Sequence, residues 1–429
     1  MIFALGVLAF AVGIIISIAL HEAGHMIPAK LFGVKVTQFF VGFGNTLWSF
    51  RRGETEYGIK SIPLGGYVRL VGMLPPAKDE DPHEVRPTNT GLFTQLAEEA
   101  RTAEYEHVSD EDLPRLFYRL TWWKKVIVMA GGPMVNVMIA VVLFAIVILG
   151  LGVEQQTTTV SRVSDCAVSD SSAARVCTDD DPVAPAKTAG LQPGDVITSI
   201  DGVAMTSWDQ LSRTIRASGD RRITLGFDRD GTAMSVDLKP SVLTRADLDD
   251  PDQKVSVGFL GVSPTIERVQ GDVGDVASTM GTYIDRTAEA IVHLPVRMID
   301  VTKALFGGER DPEGPIGVVG ASRISGELVT LHDPSWTERS ARVLTLLAGL
   351  NMFLALFNLI PLLPFDGGHI AGALWEALRR GWSRLRSSPD PGFVDVAKAL
   401  PVSYGVGAVL VVMSVILLFA DILNPVTLS

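Results

Sequence analysis

The chain has 429 residues, 47% of them hydrophobic, and a formal net charge of −11; its mean hydropathy is +0.29. That apolar balance excludes an ordinary soluble protein and points to membrane spans. With no basic run suited to nucleic acid, a nucleic-acid partner is excluded too, and the acid excess gathers between residues 152 and 342, as one acidic soluble module would.

The first apolar stretch runs from Ile2 to Leu20 and on to His25. No basic residue precedes Lys30 and no small-residue cleavage site follows, so it reads as a retained span rather than a removed signal. It ends in "HEAGH", residues 21 to 25. On a helix, His21 and His25 lie one turn apart on one face, where both imidazoles can bind a single Zn²⁺, and Glu22 is placed to take a proton from water. A snorkelling histidine pair is the bland alternative. Ionisable side chains inside a span are costly and generally functional, which favours the metal.

Next, "ETEYGIKSIPLGGYVRLVGM" (54–73) alternates apolar and polar residues around Pro63, Gly65 and Gly66 and predicts a β-hairpin or β-loop. Residues 77–119 are polar, with a helix expected near 91–106, and carry no assigned chemistry. The second span is Val126–Val153. Its "GGPMVN" (131–136) offers small residues for close helix approach and Asn136 for a polar contact; by residue type this reads as packing.

Residues 186–215 then read as a turn into a strand ("LQPGDVI"), a tight turn ("DGV") and an amphipathic helix with Trp208, Leu211 and Ile215 at helical spacing. Two strands follow, "RITLGFDRDG" and "TAMSVDLKP". Cys166 and Cys177, the only cysteines, can form a disulfide if the compartment is oxidising. Residues 290–306 are apolar but carry Arg297, Asp300 and Lys303, and read as an amphipathic surface segment.

The third span runs from about Val343 to Pro364 and the fourth from about Val402 to Leu423. Spans two and four show no metal-ligating residues, which argues against a metal transporter. Basic residues near the spans (Lys30, Lys35, Lys124, Lys125, Arg379, Arg380, Arg384 and Arg386) fall on one side if both termini are outside; Arg339 and Arg342 run against this. Residues 26–125 and 365–401 are then cytoplasmic and 154–342 outside, where a disulfide persists. Spans one and three run the same way, so His21, His25 and Asp366 reach one depth. Asp366, read as ending span three in "NLIPLLPFDGGH" (358–369), is the third ligand; His369 is the alternative. Pro361 and Pro364 break the helix, and Asn358 can donate a hydrogen bond to substrate or join another helix.

Taken together, "HEAGH", "GGPMVN" and "NLIPLLPFDGGH" resemble the HExxH, G-P-x-x-N and N-x-x-P-x-x-P-x-D-G motifs of the site-2 protease family of intramembrane zinc metalloproteases. The resemblance covers nearly the whole chain and is closest to the PDZ-containing actinobacterial regulators of intramembrane proteolysis. Phe365 replaces the usual Leu, and Phe353 stands where some members have a second Asn, with Asn351 nearby.

The fold implied is a polytopic α-helical membrane protein of four transmembrane helices, with a membrane-associated β-loop and one extracytoplasmic α+β PDZ-like domain. Its parts are 1–76 (first span and β-loop), 77–120 (polar insertion), 121–153 (second span), 158–264 (PDZ-like domain), 265–342 (amphipathic linker) and 343–429 (third and fourth spans). The resemblance implies Zn²⁺ held by His21, His25 and Asp366, Glu22 as catalytic base, and substrate contacts from Asn358, Asn136 and the loop with Gly65 and Gly66. Implied substrates are single-span proteins in a bacterial plasma membrane, such as anti-sigma factors trimmed first by a site-1 type protease, or remnant signal peptides. The rival is a membrane scaffold with a structural metal, which would want a fourth protein ligand.

Overall fold

The computed structural model describes residues 1–75, 108–168, 177–178, 180–248, 253–308, 310–311, 314–330 and 334–427, without the Leu64 side chain. The helix expected near 91–106 lies outside the described residues. The chain divides into two compact units, 1–151 with 271–429, and 152–270.

Among the described residues of the first unit, four segments are long and apolar enough to cross a membrane: Ile2–Leu31, Trp122–Leu151, Trp336–Asn358 and Val396–Leu423. With the β-rich second unit, they fit a multi-pass membrane protein. Helix α1 (Ile2–Leu31) carries HEAGH in its last turns. It packs on α2 (Trp122–Ala145), which continues as a π-helical turn to Leu151. The packing is at backbone contact: a Cβ added at Gly131 would stand 2.0 Å from the Gly24 carbonyl oxygen.

Between them lie β1 (Val36–Arg52) and β2 (Thr55–Leu70). Of the β-hairpin or β-loop expected within 54–73, a self-contained hairpin is not what forms: the segment is one long strand paired to a strand the sequence pattern did not disclose. Phe39, Phe40 and Val41 each pair twice, with Val68, Tyr67 and Gly66 and with Tyr57, Gly58 and Ile59. The ribbon therefore folds over on itself. Its foot is tied down by the segment after the insertion: Arg115 donates to both Glu54 oxygens at 2.8 and 2.6 Å, and Lys35 donates to Asp112 at 2.6 Å.

The third span, α7 (Trp336–Asn358), ends short of Pro364, and Asp366 does not close it but opens α8 (Asp366–Leu385). Pro361 and Pro364 explain the difference, since each lacks an N–H and disfavours helix in the residue before it. Residues 359–365 turn instead, with Phe365 N–H donating to Leu362 O at 3.0 Å. Gly367 lets α8 start hard against that turn; a Cβ there would lie 2.3 Å from the Leu359 oxygen.

The second unit has a sheet in the order β10-β3-β4-β6-β7, with β5 on β4 and a separate β8–β9 pair. The strands are β3 (Val153–Val163), β4 (Val196–Ile200), β5 (Val203–Ala204), β6 (Ile223–Arg229), β7 (Thr232–Leu238), β8 (Ser241–Ala246), β9 (Lys254–Phe259) and β10 (Val262–Val269). A short helix α3 (Pro185–Thr188) precedes β4. Helix α4 (Trp208–Ala217) is capped by the Ser207 hydroxyl, which accepts from Gln210 N–H, and it buries Leu211 and Ile215 in the core. The turn between β4 and β5 uses Asp201 and Gly202, both at positive φ, as a two-residue hairpin turn requires. Cys166 and Cys177 form a disulfide.

Back in the first unit, α5 (Val273–Leu305) absorbs the amphipathic 290–306 segment, exposing Val292, Val296 and Ile299 and burying Met298, Val301 and Ala304. Helix α6 (Val318–Leu328) docks on α9 (Leu400–Leu423), with α7 spanning Trp336–Asn358. Span four does contain one carboxylate, Asp421, contrary to the expectation. It is occupied, however, by Arg310 at 3.0 Å and by the N–H groups of Gly317 and Gly320 at 2.9 and 2.8 Å.

The Lys35 ammonium holds the Asp112 carboxyl at about 2, below the ordinary 3.8. A depressed carboxyl contributes stability above its unfolded value and loses it as pH falls through the folded one. The melting temperatures of wild type and Asp112→Asn should therefore converge as pH drops from about 4 toward about 2. A constant gap across that window would show that the pair does not stabilise the foot of the sheet.

Candidate metal centre

Three side chains able to ligate a metal, from two elements, meet at one point. His21 and His25 project from α1, and Asp366 from the first turn of α8. Among the described residues these form the one group of three or more His, Cys, Asp or Glu side chains close enough to share an ion, and His369 is not part of it. The two Nε2 atoms are 3.2 Å apart. Asp366 Oδ2 stands 3.5 Å from that of His21 and 3.3 Å from that of His25.

This spacing can be tested against zinc. Ligands ~2.0–2.1 Å from a tetrahedral ion stand ~3.3–3.4 Å from one another. The three observed separations match that edge length, and Asp366 Oδ2 is buried without a hydrogen-bond donor. A buried anionic oxygen with no donor is costly unless a cation neutralises it. His25 supplies a further constraint: its Nδ1–H donates to the Val128 carbonyl at 2.8 Å, which leaves the Nε2 lone pair facing the cluster. The donor set therefore fits zinc, with three candidate protein ligands among the described residues where a structural site takes four.

Helix α2 builds the back of this centre, and here "GGPMVN" does more than pack. Gly131 admits the close approach of Gly24. Gly132 leaves space for the imidazoles: a Cβ there would sit 2.3 Å from His25 Nε2 and 2.7 Å from His21 Nε2. Asn136, only 1% exposed, places its side-chain amide 3.1 Å from His21 Nδ1. At the foot of α2, Lys125 donates to Glu376 of α8 at 2.7 Å, both side chains being buried. One helix thus touches both histidines and, through the ion pair, the helix that begins with Asp366. Reasoning from residue types missed Val128 and Glu376 and read Gly132 as packing alone; for the ion pair only Lys125, a charge entering an apolar run, gave any signal.

Glu22 lies beside β2. Val68 N–H donates to its carboxylate, and a Cβ on Gly66 would come within 3.1 Å of its Cγ. Gly65 has φ +90°, and a Cβ there would strike the Phe43 ring at 2.7 Å. The two glycines therefore let the strand bend and pass close to α1. Asn358 is the last residue of α7, half-buried, outside the ligand group. Asn351 is fully buried and donates to Ser17 Oγ at 3.0 Å, joining α7 to α1 one turn before His21.

The chain is similar to known metalloproteases. The family model for Peptidase family M50 matches residues 9–388. Zinc metalloprotease Rip1 of Mycobacterium tuberculosis is 33% identical over the whole of both chains. Its namesake in Mycolicibacterium smegmatis is 34% identical, again over the whole of both. Metalloprotease MmpA of Caulobacter vibrioides is 26% identical over 87% of this chain and 86% of its own.

Gly132→Ala should cut bound zinc severalfold while helix content is retained, as read by elemental analysis and circular dichroism of the purified protein. Full zinc occupancy in that variant would show that the space at residue 132 is not what admits the imidazoles to an ion.

Proposed function

The chain belongs to peptidase family M50 and is a zinc metalloprotease of the membrane, and on that premise we propose that His21, His25 and Asp366 hold the zinc and Glu22 serves as its catalytic base, hydrolysing peptide bonds in single-span membrane proteins. The observation that carries this reading is the convergence of three potential ligand atoms at the edge length of a zinc tetrahedron.

When bound, zinc supplies Lewis acidity, raising the acidity of water and polarising the scissile carbonyl. Glu22 does the proton work. Held by Val68 N–H on one side, its carboxylate takes a proton from the attacking water and delivers it to the departing amine as the C–N bond breaks. The net change adds one water across the peptide bond. Asn358, at the end of α7, donates to the substrate backbone.

A transmembrane helix must unwind before its backbone can be cut. The 66–70 segment of β2 passes Glu22 at the side of the folded ribbon, and an extended substrate can add there as a further strand, with Gly65 and Gly66 at the start of the contacted stretch. The opposite end of the ribbon exposes Phe43, Leu47, Trp48, Phe50, Ile59 and Ile62, an apolar surface suited to lipid. The ribbon therefore presents its strand at membrane depth.

The distribution of basic residues supports both termini outside, the metal centre toward the cytoplasmic side, and the 152–270 unit outside as a PDZ-like module. The disulfide in that unit supports an oxidising compartment. There it filters out intact ectodomains or receives a peptide end. Single-span anti-sigma factors already trimmed outside by another protease, and remnant signal peptides, are the substrates this arrangement suits. A scaffold with a structural zinc is disfavoured, because the centre has three ligating side chains among the described residues where such a site takes four.

Glu22→Gln should retain zinc while cleavage of a tagged single-span substrate falls ~10²–10⁴-fold, the range for a lost general base. Asp366→Ala should lose the metal itself. Wild-type cleavage by Glu22→Gln would contradict the assignment.

A further inference from the structure

Residue type leaves Asn136 without a settled task, and its surroundings give it one. Its side chain is 1% exposed and lies in the α1–α2 interface. Its Nδ2 stands 3.1 Å from His21 Nδ1, while its Oδ1 makes no hydrogen bond. No second contact of Oδ1 therefore fixes which way round the amide stands, and the oxygen and nitrogen exchange places by a half-turn of the terminal bond. Only the needs of His21 decide it.

Those needs follow from the centre. His21 Nε2 faces His25 Nε2 at 3.2 Å and Asp366 Oδ2 at 3.5 Å. If that nitrogen offers its lone pair to zinc, the neutral ring carries its proton on Nδ1. Nδ1–H is then a donor, and in a buried interface it requires an acceptor. The amide oxygen of Asn136, turned toward it, is the side-chain acceptor in reach. His25 is held in the same way by a backbone oxygen on the same helix, Val128 O at 2.8 Å. Val128 and Asn136 thus lie on the same helix, each against one of the two histidines.

We propose that Asn136 is a positioning residue rather than a substrate contact: its side-chain oxygen accepts from His21 Nδ1–H and so holds the ring in the tautomer and rotamer that present Nε2 to zinc. The inference rests on the proposed ligand set and adds to it the side chain that keeps one ligand ready. Glu22 is adjacent to His21 in the chain, so a drift of that ring also disturbs the base relative to the metal.

The test is zinc affinity of the full-length protein in detergent, measured by competition with a chromophoric chelator, beside its melting temperature. Asn136→Leu is close in size and has no acceptor; its zinc affinity should fall ~10–100-fold, the usual cost of removing a partner of a metal-bound histidine. Asn136→Asp keeps an acceptor in place and should stay near the wild-type affinity, which a purely structural role of the amide nitrogen would not allow. If Asn136→Asp binds zinc as weakly as Asn136→Leu, the amide acts as donor and the inference is overturned. It is equally overturned if both variants bind zinc like wild type and only KM changes. His21→Ala separates this from the reading beneath it: zinc retained in that variant sinks the ligand assignment itself, whereas zinc lost there but kept in Asn136→Leu sinks only the role of Asn136. Should the leucine variant fail to fold, the aspartate variant alone still decides between donor and acceptor.

Discussion

The structure depends first on the contact of α1 with α2 at Gly24 and Gly131. The two backbones meet so closely that a single methyl on either glycine would collide with main-chain atoms, at 2.5 and 2.0 Å. Overpacking by one group costs about 1–3 kcal/mol where side chains can yield, and a peptide oxygen yields less. Lipid tails offer apolar helices no reason to associate, so close packing of small residues and interhelical hydrogen bonds must hold them. Both are concentrated here, and the metal centre is built one residue further along, where Gly132 faces the two imidazoles.

From this contact the remaining geometry follows. Helix α2 supplies an acceptor to His25 from its backbone and a side-chain amide to His21. Its Lys125 reaches Glu376 on α8, and Arg380 approaches the same carboxylate at 3.2 Å. Breaking a buried ion pair by removing one partner costs about 3–5 kcal/mol, because the other charge is left uncompensated. The pair thus sets where α8 lies, and hence where its first residue, Asp366, stands. Gly367 and Gly368 let that first turn seat against residues 359–363. On the other side, the tied foot of the β-ribbon keeps β2 beside Glu22.

Much of this was legible in the amino-acid sequence, for physical reasons. The four spans announce themselves by apolar length, and HEAGH by charge where lipid is expected. The approach of Asp366 to the two histidines was legible because the charge-based topology predicts one depth for all three. The place of Asp366 at the start of α8 was not, since a proline pair shows that a helix ends without showing at which residue. Strand β1 escaped because "FFVGF" is a continuous apolar run without alternation, and β2 was read as a hairpin because Pro63 and the two glycines suggest a turn; in fact the ribbon bends there without ending. The roles of Gly132 and Asn136 are tertiary. Residue type marks both as interface residues, but only the neighbouring helix shows that one makes room for imidazoles and the other holds one of them. The Asp421–Arg310 and Lys125–Glu376 pairs join residues more than a hundred positions apart, beyond the reach of local pattern.

The central claim is that one zinc ion sits where α1 and the first turn of α8 converge. Anomalous diffraction from crystals of the zinc-loaded protein, collected on both sides of the zinc absorption edge, tests it most directly. The account predicts a single strong peak bounded by His21 Nε2, His25 Nε2 and an Asp366 carboxylate oxygen. A peak that instead engages His369, or one at which the Asp366 carboxylate stays out of coordinating range, would contradict it.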